Sequence, residues 1–305
     1  MRKIGIIGGG SIGLLLAGYL SKANYEVTIY TNTEKQAKSL STEKLILHNQ
    51  QGTTAYTVNS IPFDQADYYT DDCLFVAVKQ YHLKTLVPKL KDLPGSIRTM
   101  VFLQNGMGHL KYLNELTSKS ENIYVGIVEH GALKKSDFVV THTGIGELKI
   151  GSYRERQAKS SAIWENLTKV GFRTKHYSDW LQIMERKLVV NGVINPLTAL
   201  YRVKNGELVR NPYFQKIMRQ LFDEIAHVID CNENDWEQIL QICENTSENH
   251  SSMLRDIEEG RETEIEAITG VLLDKGNNQE MTLPLNKFIF NCVKGIELRE
   301  RGGTK

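Results

Sequence analysis

Hydrophobic positions in the first half of the chain fall into short β-branched runs separated by segments of helical period. KIGIIG (3–8), EVTIY (26–30), CLFVAV (73–78), RTMVFL (98–103) and NIYVGIV (122–128) are almost continuously apolar, as strands buried on both faces are. Between several of them, SIGLLLAGYLSKA and QYHLKTLVPKLKDL repeat apolar residues every three or four positions, the mark of a helix with one buried face. KLILH and TTAYTV, between the second and third runs, predict an inserted hairpin. FVVTHT and GELKIGS, after the fifth, predict antiparallel additions to the sheet edge. Strand–helix alternation of this kind builds a Rossmann-type, doubly wound α/β domain with helices on both faces of a parallel sheet.

The rhythm changes near Ser178. SDWLQIMERKLVVNGVINPLTALY, PYFQKIMRQLFDEIAHVID, DWEQILQIC, ETEIEAITGVLLDKG and LNKFIFNCVKGIEL all carry the helical period, and nothing there alternates like a strand. The second domain is therefore expected to be all α. No repeat, low-complexity tract or long linker separates the two patterns. The expected division is 1–177 and 178–305, with a rigid junction around 176–180.

One helical stretch breaks its own apolar pattern. In KLVVNGVINPLTAL (187–200), Lys187, Asn191 and Asn195 recur every four residues. Such positions advance by only about 40° per step around a helix, so the three line one stripe. Pro196 follows; it is expected to kink the helix, free a carbonyl near Gly192 and aim Asn195 at a ligand. A lysine and two asparagines buried without partners would carry a heavy desolvation cost, which argues for a ligand-facing stripe over a spoiled core.

Composition removes several classes of function. The 305 residues are 41% hydrophobic and 24% charged, ordinary for a globular protein of about two domains. With 37 basic and 36 acidic side chains the net charge is +1, which gives no electrostatic case for nucleic acid or an anionic membrane. Cys73, Cys231, Cys243 and Cys292 are scattered and form no C-x-x-C, so no metal site is expected and reduced thiols in a cytoplasmic protein are. The basic-then-apolar N-terminus imitates a signal peptide, but its glycines have another explanation. No other stretch approaches the ~18 apolar residues of a membrane span.

Gly8-Gly9-Gly10-Ser11-Ile12-Gly13 fits G-x-G-x-x-G, with a strand before it, a helix after it and a second strand at Glu26 to Tyr30. Gly8 permits the tight turn, Gly10 the approach of a pyrophosphate and Gly13 close helix–strand packing. The helix N-terminus supplies N–H groups and positive dipole to the phosphates. NAD-preferring sites place an acid at the end of the second strand, but here Tyr30-Thr31-Asn32-Thr33 has none. Thr31, Asn32 and Lys35 could hydrogen-bond a 2′-phosphate, so the expected cofactor is NADP(H).

Further polar motifs are Val78-Lys79-Gln80, LQNGMG (103–108), NHSSM (249–253) and RETEIE (261–266). Strand C-termini face the ligand crevice of a doubly wound sheet, which puts Lys79 and Asn105 where a nicotinamide would lie. Singly, each motif has a plain structural reading: a surface lysine, a turn, a helix cap, a solvated acidic face.

Together they resemble one family. GGGSIG, VK at 78–79, QNGMG, KLVVNGVINPLTAL, KNGEL (204–208), NHSSML and RETEIEAITG are similar, in order and spacing over nearly the whole chain, to the motif set of the ketopantoate reductases. The resemblance implies an N-terminal Rossmann domain, a helical C-terminal domain of the 6-phosphogluconate-dehydrogenase-like kind, and a substrate cleft between them. It implies reduction of 2-dehydropantoate by NADPH to (R)-pantoate, a step toward pantothenate and coenzyme A. Residue by residue it makes Lys187 the proton donor, and Asn191, Asn195, Asn205, Ser252 and Glu264 substrate-site residues. Gly8 to Gly13, Lys79, Asn105 and Ala132 become cofactor-site residues, with Asn105 touching both ligands. Family members often carry an arginine just after the second strand; Asn32 stands there in this chain, which leaves the strength of the NADPH preference open.

The chemistry agrees. Hydride addition to a ketone builds negative charge on its oxygen, which needs a cation and then a proton, and Lys187 can supply both. Glu264, ionised, accepts from the substrate's terminal hydroxyl and favours a charged Lys187. The expected partner is the small molecule ketopantoate or pantoate, with a homodimer as the candidate assembly. The competing readings are another NADP-dependent 2-hydroxyacid or β-hydroxyacid dehydrogenase and a non-catalytic NADP sensor.

Overall fold

The computed structural model of the chain describes residues 3–66, 72–156 and 161–302. Its strands are β1 (Lys3–Ile7), β2 (Glu26–Thr31), β3 (Leu45–Asn49), β4 (Gly52–Tyr56), β5 (Asn59–Pro62), β6 (Cys73–Val76), β7 (Ile97–Phe102), β8 (Ser120–Val128), β9 (Gly131–Lys134), β10 (Val139–Gly144), β11 (Leu148–Arg154) and β12 (Thr174–His176). Its helices are α1 (Ser11–Lys22), α2 (Glu34–Glu43), α3 (Leu83–Asp92), α4 (Leu110–Leu113), α5 (Ser161–Lys169), α6 (Trp180–Tyr201), α7 (Asn205–Arg210), α8 (Pro212–Ala226), α9 (Glu233–Asn245), α10 (Ser252–Glu258), α11 (Val271–Asn278) and α12 (Pro284–Gly302). Two compact units result: Met1–Gln104 with Leu110–Trp180, and Asn105–His109 with Leu181–Lys305.

In the first unit an eight-stranded sheet runs β12-β11-β8-β7-β6-β1-β2-β5. The pairs from β5 to β8 are all parallel, while β11 lies antiparallel to β8 and pairs with β12 in parallel. Counted within this sheet, the parallel strands follow the order 3-2-1-4-5-6 of dinucleotide-binding folds, whose ligands bind where the order reverses. That switch point lies between β1 and β6. The loops leaving these two strands carry Gly8–Gly13 and Lys79.

The hairpin expected from KLILH and TTAYTV is present as the antiparallel pair β3–β4. FVVTHT is a strand, β10, but not in the place expected of it. It pairs with β3 in parallel and β9 antiparallel, in a second sheet of order β4-β3-β10-β9. The physical reason is α1. Residues Gly13 to Leu20 of α1 are buried without a break, so the helix has no solvated face and needs cover on both sides. One side packs on the main sheet. On the other, Gly18 abuts β3, with a built Cβ only 3.1 Å from Leu47 Cδ2. Its leucines share one core with Ile4, Ile6, Val27, Ile29, Leu47 and Val140 from the two sheets. Truncating such a leucine to alanine typically costs about 2–5 kcal/mol.

A chain of polar side chains crosses this core. Tyr19 Oη lies 2.7 Å from His142 Nδ1, His142 Nε2 lies 3.1 Å from His130 Nδ1, and His130 Nε2 lies 3.1 Å from the Arg173 carbonyl. With both rings neutral, each ring N–H has an acceptor: His130 donates to Arg173, His142 to His130, and Tyr19 to His142. Burial holds both histidines below the usual imidazole range, in agreement with that assignment.

The second unit contains helices α6 to α12 and no strand among the described residues. Its longest element, α6, runs unbroken through Pro196, so the full KLVVNGVINPLTAL stretch is helical. No described helix is long and apolar enough to cross a membrane.

Candidate active site

The glycine loop is shaped by backbone volume. Gly8 has φ +112°, left-handed backbone that other residues rarely adopt, and a Cβ there would sit 3.0 Å from the Ala77 backbone. A Cβ on Gly13 would come within 1.9 Å of the Gly8 carbonyl oxygen. At Gly10, by contrast, a Cβ would meet nothing within 4 Å. The loop is thus closed against the protein at Gly8 and Gly13 and open at Gly10. Gly10 is the N-cap of α1 and no side chain caps the first-turn N–H groups, which leaves them and the helix dipole for an anion. The loop fits a dinucleotide pyrophosphate.

Around it, Ser11 Oγ accepts from the backbone N–H of Lys134 on β9, the strand that also holds the half-buried Ala132. Thr31 is fully buried and donates its hydroxyl to the Thr33 carbonyl at 2.9 Å, so its side chain is turned away from solvent. Asn32 and Lys35 are exposed. Lys79 follows β6 and is half-buried. Gln104, at the end of β7, donates from Nε2 to the carbonyls of Val76 and Val78, both at 2.9 Å, bracing the segment that leads to Lys79.

The second unit assembles its polar groups from distant parts of the chain. Lys187 Nζ donates to Asn105 Oδ1 at 3.3 Å, and Asn105 Nδ2 donates to Glu264 Oε2 at 3.1 Å. One carboxamide therefore bridges an ammonium and a carboxylate, using its acceptor toward the first and its donor toward the second. Gly106 makes the approach possible. Its φ is +71°, and a Cβ there would lie 2.1 Å from the Ala267 carbonyl oxygen, which also accepts from Met107 N at 3.3 Å. Ala267 belongs to a π-helical turn, Glu266–Gly270, which begins two residues after Glu264; such turns recur at functional sites.

The remaining stripe residues change character along α6. Lys187 and Asn191 are half-buried, whereas Asn195 is only 7% exposed. Asn205 is buried, with Nδ2 donating to Thr246 Oγ1 at 2.9 Å and Oδ1 lacking a hydrogen-bond partner among the described residues. The two serines of NHSSM divide the work. Ser251 caps α10, accepting from Leu254 N at 3.0 Å, and lies 2.7 Å from Thr198 Oγ1 on α6. Ser252, the first residue of α10, is exposed. No cluster of three or more metal-ligating side chains occurs among the described residues.

Comparison with known proteins then decides the family. The description "Ketopantoate reductase PanE/ApbA" matches residues 4–155, and "Ketopantoate reductase PanE/ApbA C terminal" matches residues 179–297. The chain belongs to the ketopantoate reductase family. The 2-dehydropantoate 2-reductase of Bacillus subtilis is 37% identical over 97% of both chains. The crystal structure of a probable 2-dehydropantoate 2-reductase from Bacillus subtilis superposes with TM-score 0.82 at 36% identity, covering 96% of this chain and 99% of that one. D-mandelate dehydrogenase with NADH and anilino(oxo)acetate shares the fold at TM-score 0.84, with 21% identity over 98% of this chain and 99% of that chain.

Three supporting residues escaped the sequence reading. Gln36 Nε2 donates to the Gly9 carbonyl at 2.7 Å and to the Asp137 carbonyl at 3.0 Å, tying the glycine loop to the β9–β10 hairpin. Gln104 braces the strand ends as described. In the second unit Glu297, 2% exposed, accepts from the N–H of Thr263 at 2.8 Å and from its hydroxyl, fixing the residue before Glu264. The sequence reading gave none of them a role of its own, although Gln104 stands inside the QNGMG motif, and burial is what marks them.

Proposed function

We propose that this chain reduces 2-dehydropantoate to (R)-pantoate with NADPH, the step that feeds pantothenate and coenzyme A synthesis. The observation that carries the reading is the Lys187–Asn105–Glu264 chain, an ammonium held beside a carboxamide and a carboxylate. The first unit serves as the nucleotide-binding domain and the helical unit as the substrate-binding one. Gly8 to Gly13, Lys79 and Ala132 hold the nucleotide, which supplies a hydride to the ketone carbon when bound.

The chain's own residues do the rest. Lys187 places its ammonium against the ketone oxygen, stabilises the developing negative charge and gives up a proton to it. Asn105 holds that ammonium through Oδ1 and keeps Glu264 in place through Nδ2. Glu264 accepts from the substrate's terminal hydroxyl. Asn191, Asn195, Asn205 and Ser252 offer uncharged donors and acceptors to its carboxylate and hydroxyl. The setting is cytoplasmic, where the four cysteines stay reduced; burial pushes the Cys231 thiol up to about 11 and Cys243 to about 12, which makes both poor nucleophiles.

A panel of 2-oxoacids followed by NADPH and NADH absorbance tests this reading. Ketopantoate with NADPH is expected to give the highest kcat/KM by a wide margin. A preference for another oxoacid would overturn the substrate assignment, and NADPH binding without turnover on any oxoacid would make the chain a nucleotide sensor.

A further inference from the structure

We propose that recognition of the 2′-phosphate of NADP(H) in this chain comes from the turn of the β9–β10 hairpin, through Lys135 acting with Lys35, in place of an arginine after β2. The inference rests on the reading of the glycine loop as a nicotinamide-nucleotide site.

A 2′-phosphate needs positive charge near the end of β2, and an arginine there is the usual source. The segment after β2 reads Thr31-Asn32-Thr33-Glu34-Lys35. Thr31 is buried and spends its hydroxyl on the Thr33 carbonyl, and Thr33 caps α2 by accepting from Gln36 N at 3.2 Å. Asn32 is exposed but neutral, and Glu34 opposes an anion. Lys35 is then the one cation that this segment provides, and it has an acid beside it in sequence.

A second cation comes from the smaller sheet. The β9–β10 turn, Lys135 to Phe138, is closed by the Lys135 N–H donating to the Val139 carbonyl at 2.8 Å. Gln36, in the first turn of α2 and 7% exposed, gives one N–H to the Asp137 carbonyl in this turn and one to the Gly9 carbonyl in the glycine loop. That single buried carboxamide fastens three pieces together: the phosphate loop, the helix after β2 and the hairpin turn. Lys134 N–H on Ser11 Oγ fastens the same hairpin a second time. Two lysines leave the turn in different states. Lys134 is already neutralised by Asp137 at 3.2 Å. Lys135 is exposed and forms no ion pair among the described residues, nor does Lys35. The turn is thus tied both to the glycine loop and to the helix after β2, and its remaining charge is Lys135.

Direct binding decides the point, without turnover. NADP⁺ and NAD⁺ are titrated by isothermal calorimetry into the wild-type chain and into Lys135→Ala, Lys135→Arg and Lys35→Ala. The wild type is expected to prefer NADP⁺. Lys135→Ala should weaken NADP⁺ by about five- to tenfold and leave NAD⁺ within twofold, with Lys35→Ala giving a smaller selective loss. Lys135→Arg should restore NADP⁺, and the preference should shrink as salt rises. An unchanged NADP⁺/NAD⁺ ratio in Lys135→Ala overturns the inference while the glycine-loop reading stands. So does an equal loss of both nucleotides, or a wild type without preference. A wild type that binds neither nucleotide overturns the glycine-loop reading and this inference with it.

Discussion

The glycine loop and the Lys187–Asn105–Glu264 chain are built by different means. The loop is made of backbone: what matters at Gly8 and Gly13 is the absence of a Cβ, and the N–H groups left uncapped at the start of α1 are ones that any residue has. The helical-unit site is made of side chains, one ammonium, one carboxamide and one carboxylate, gathered from residues 187, 105 and 264. The first kind of site should fail when volume is added. The second should fail when chemistry is removed, with its volume kept.

The largest effect belongs to the second kind. Lys187→Ala is expected to lower kcat for ketopantoate by about 10²–10⁴-fold while NADPH affinity by fluorescence titration stays near wild type, since the residue lies in the helical unit. A loss of nucleotide affinity of the same size would erase the distinction between the sites. Next comes Gly13→Ala. A methyl group placed 1.9 Å from the Gly8 carbonyl must push the loop aside, and overpacking of this sort typically costs about 1–3 kcal/mol. NADPH affinity should fall at least about tenfold and thermal stability should drop with it.

Gly106→Ala joins the two kinds of failure. The added Cβ meets the Ala267 carbonyl at 2.1 Å at a residue with positive φ, so Asn105 is displaced from Glu264. We expect a fall in kcat of about tenfold, the loss of one charge-assisted hydrogen bond, with a smaller change in NADPH affinity. Equal losses in both would show that Asn105 serves the nucleotide site as much as the substrate site.

The smallest effect is on stability against pH. His109 is fully buried with no hydrogen-bond partner for either ring nitrogen among the described residues, and burial pulls its pKa down to about 4 from 6.5. Between those values the unfolded chain takes up a proton that the folded chain refuses. Stability is therefore full above pH 6.5 and is lost as pH falls toward 4, and His130 and His142 act in the same direction. The melting temperature should fall by several degrees from pH 7 to pH 5. His109→Leu should flatten that slope, whatever it does to the midpoint itself.

The same contrast explains what could be read in the sequence. Glycines at fixed spacing between a strand and a helix announce a backbone site directly, and the parallel core strands announce themselves by apolar runs. β5 and β12, NSIP and TKH, are short and polar and gave no such signal. Alternation identified β10 as a strand but could not choose its sheet, because the partner is set by the need of α1 for cover on two sides. The stripe on α6 was legible because its spacing is local. The hydrogen bonds that join Lys187 to Asn105 and Asn105 to Glu264 were not, since Asn105 and Glu264 come from remote segments. Gln36 and Glu297 carry no signal of their own in the sequence and Gln104 is legible only as part of QNGMG; tertiary packing is what buries all three.

The central claim is that Asn105 and Glu264 act on ketopantoate as one unit with Lys187. A double-mutant cycle on kcat for ketopantoate reduction, with Asn105→Ala and Glu264→Gln singly and together, tests it most directly. If one carboxamide links the ammonium to the carboxylate, the second substitution should cost little once the first is made, and the double variant should fall within a few-fold of the worse single one. Losses that multiply would mean that the two residues act independently and would contradict the account.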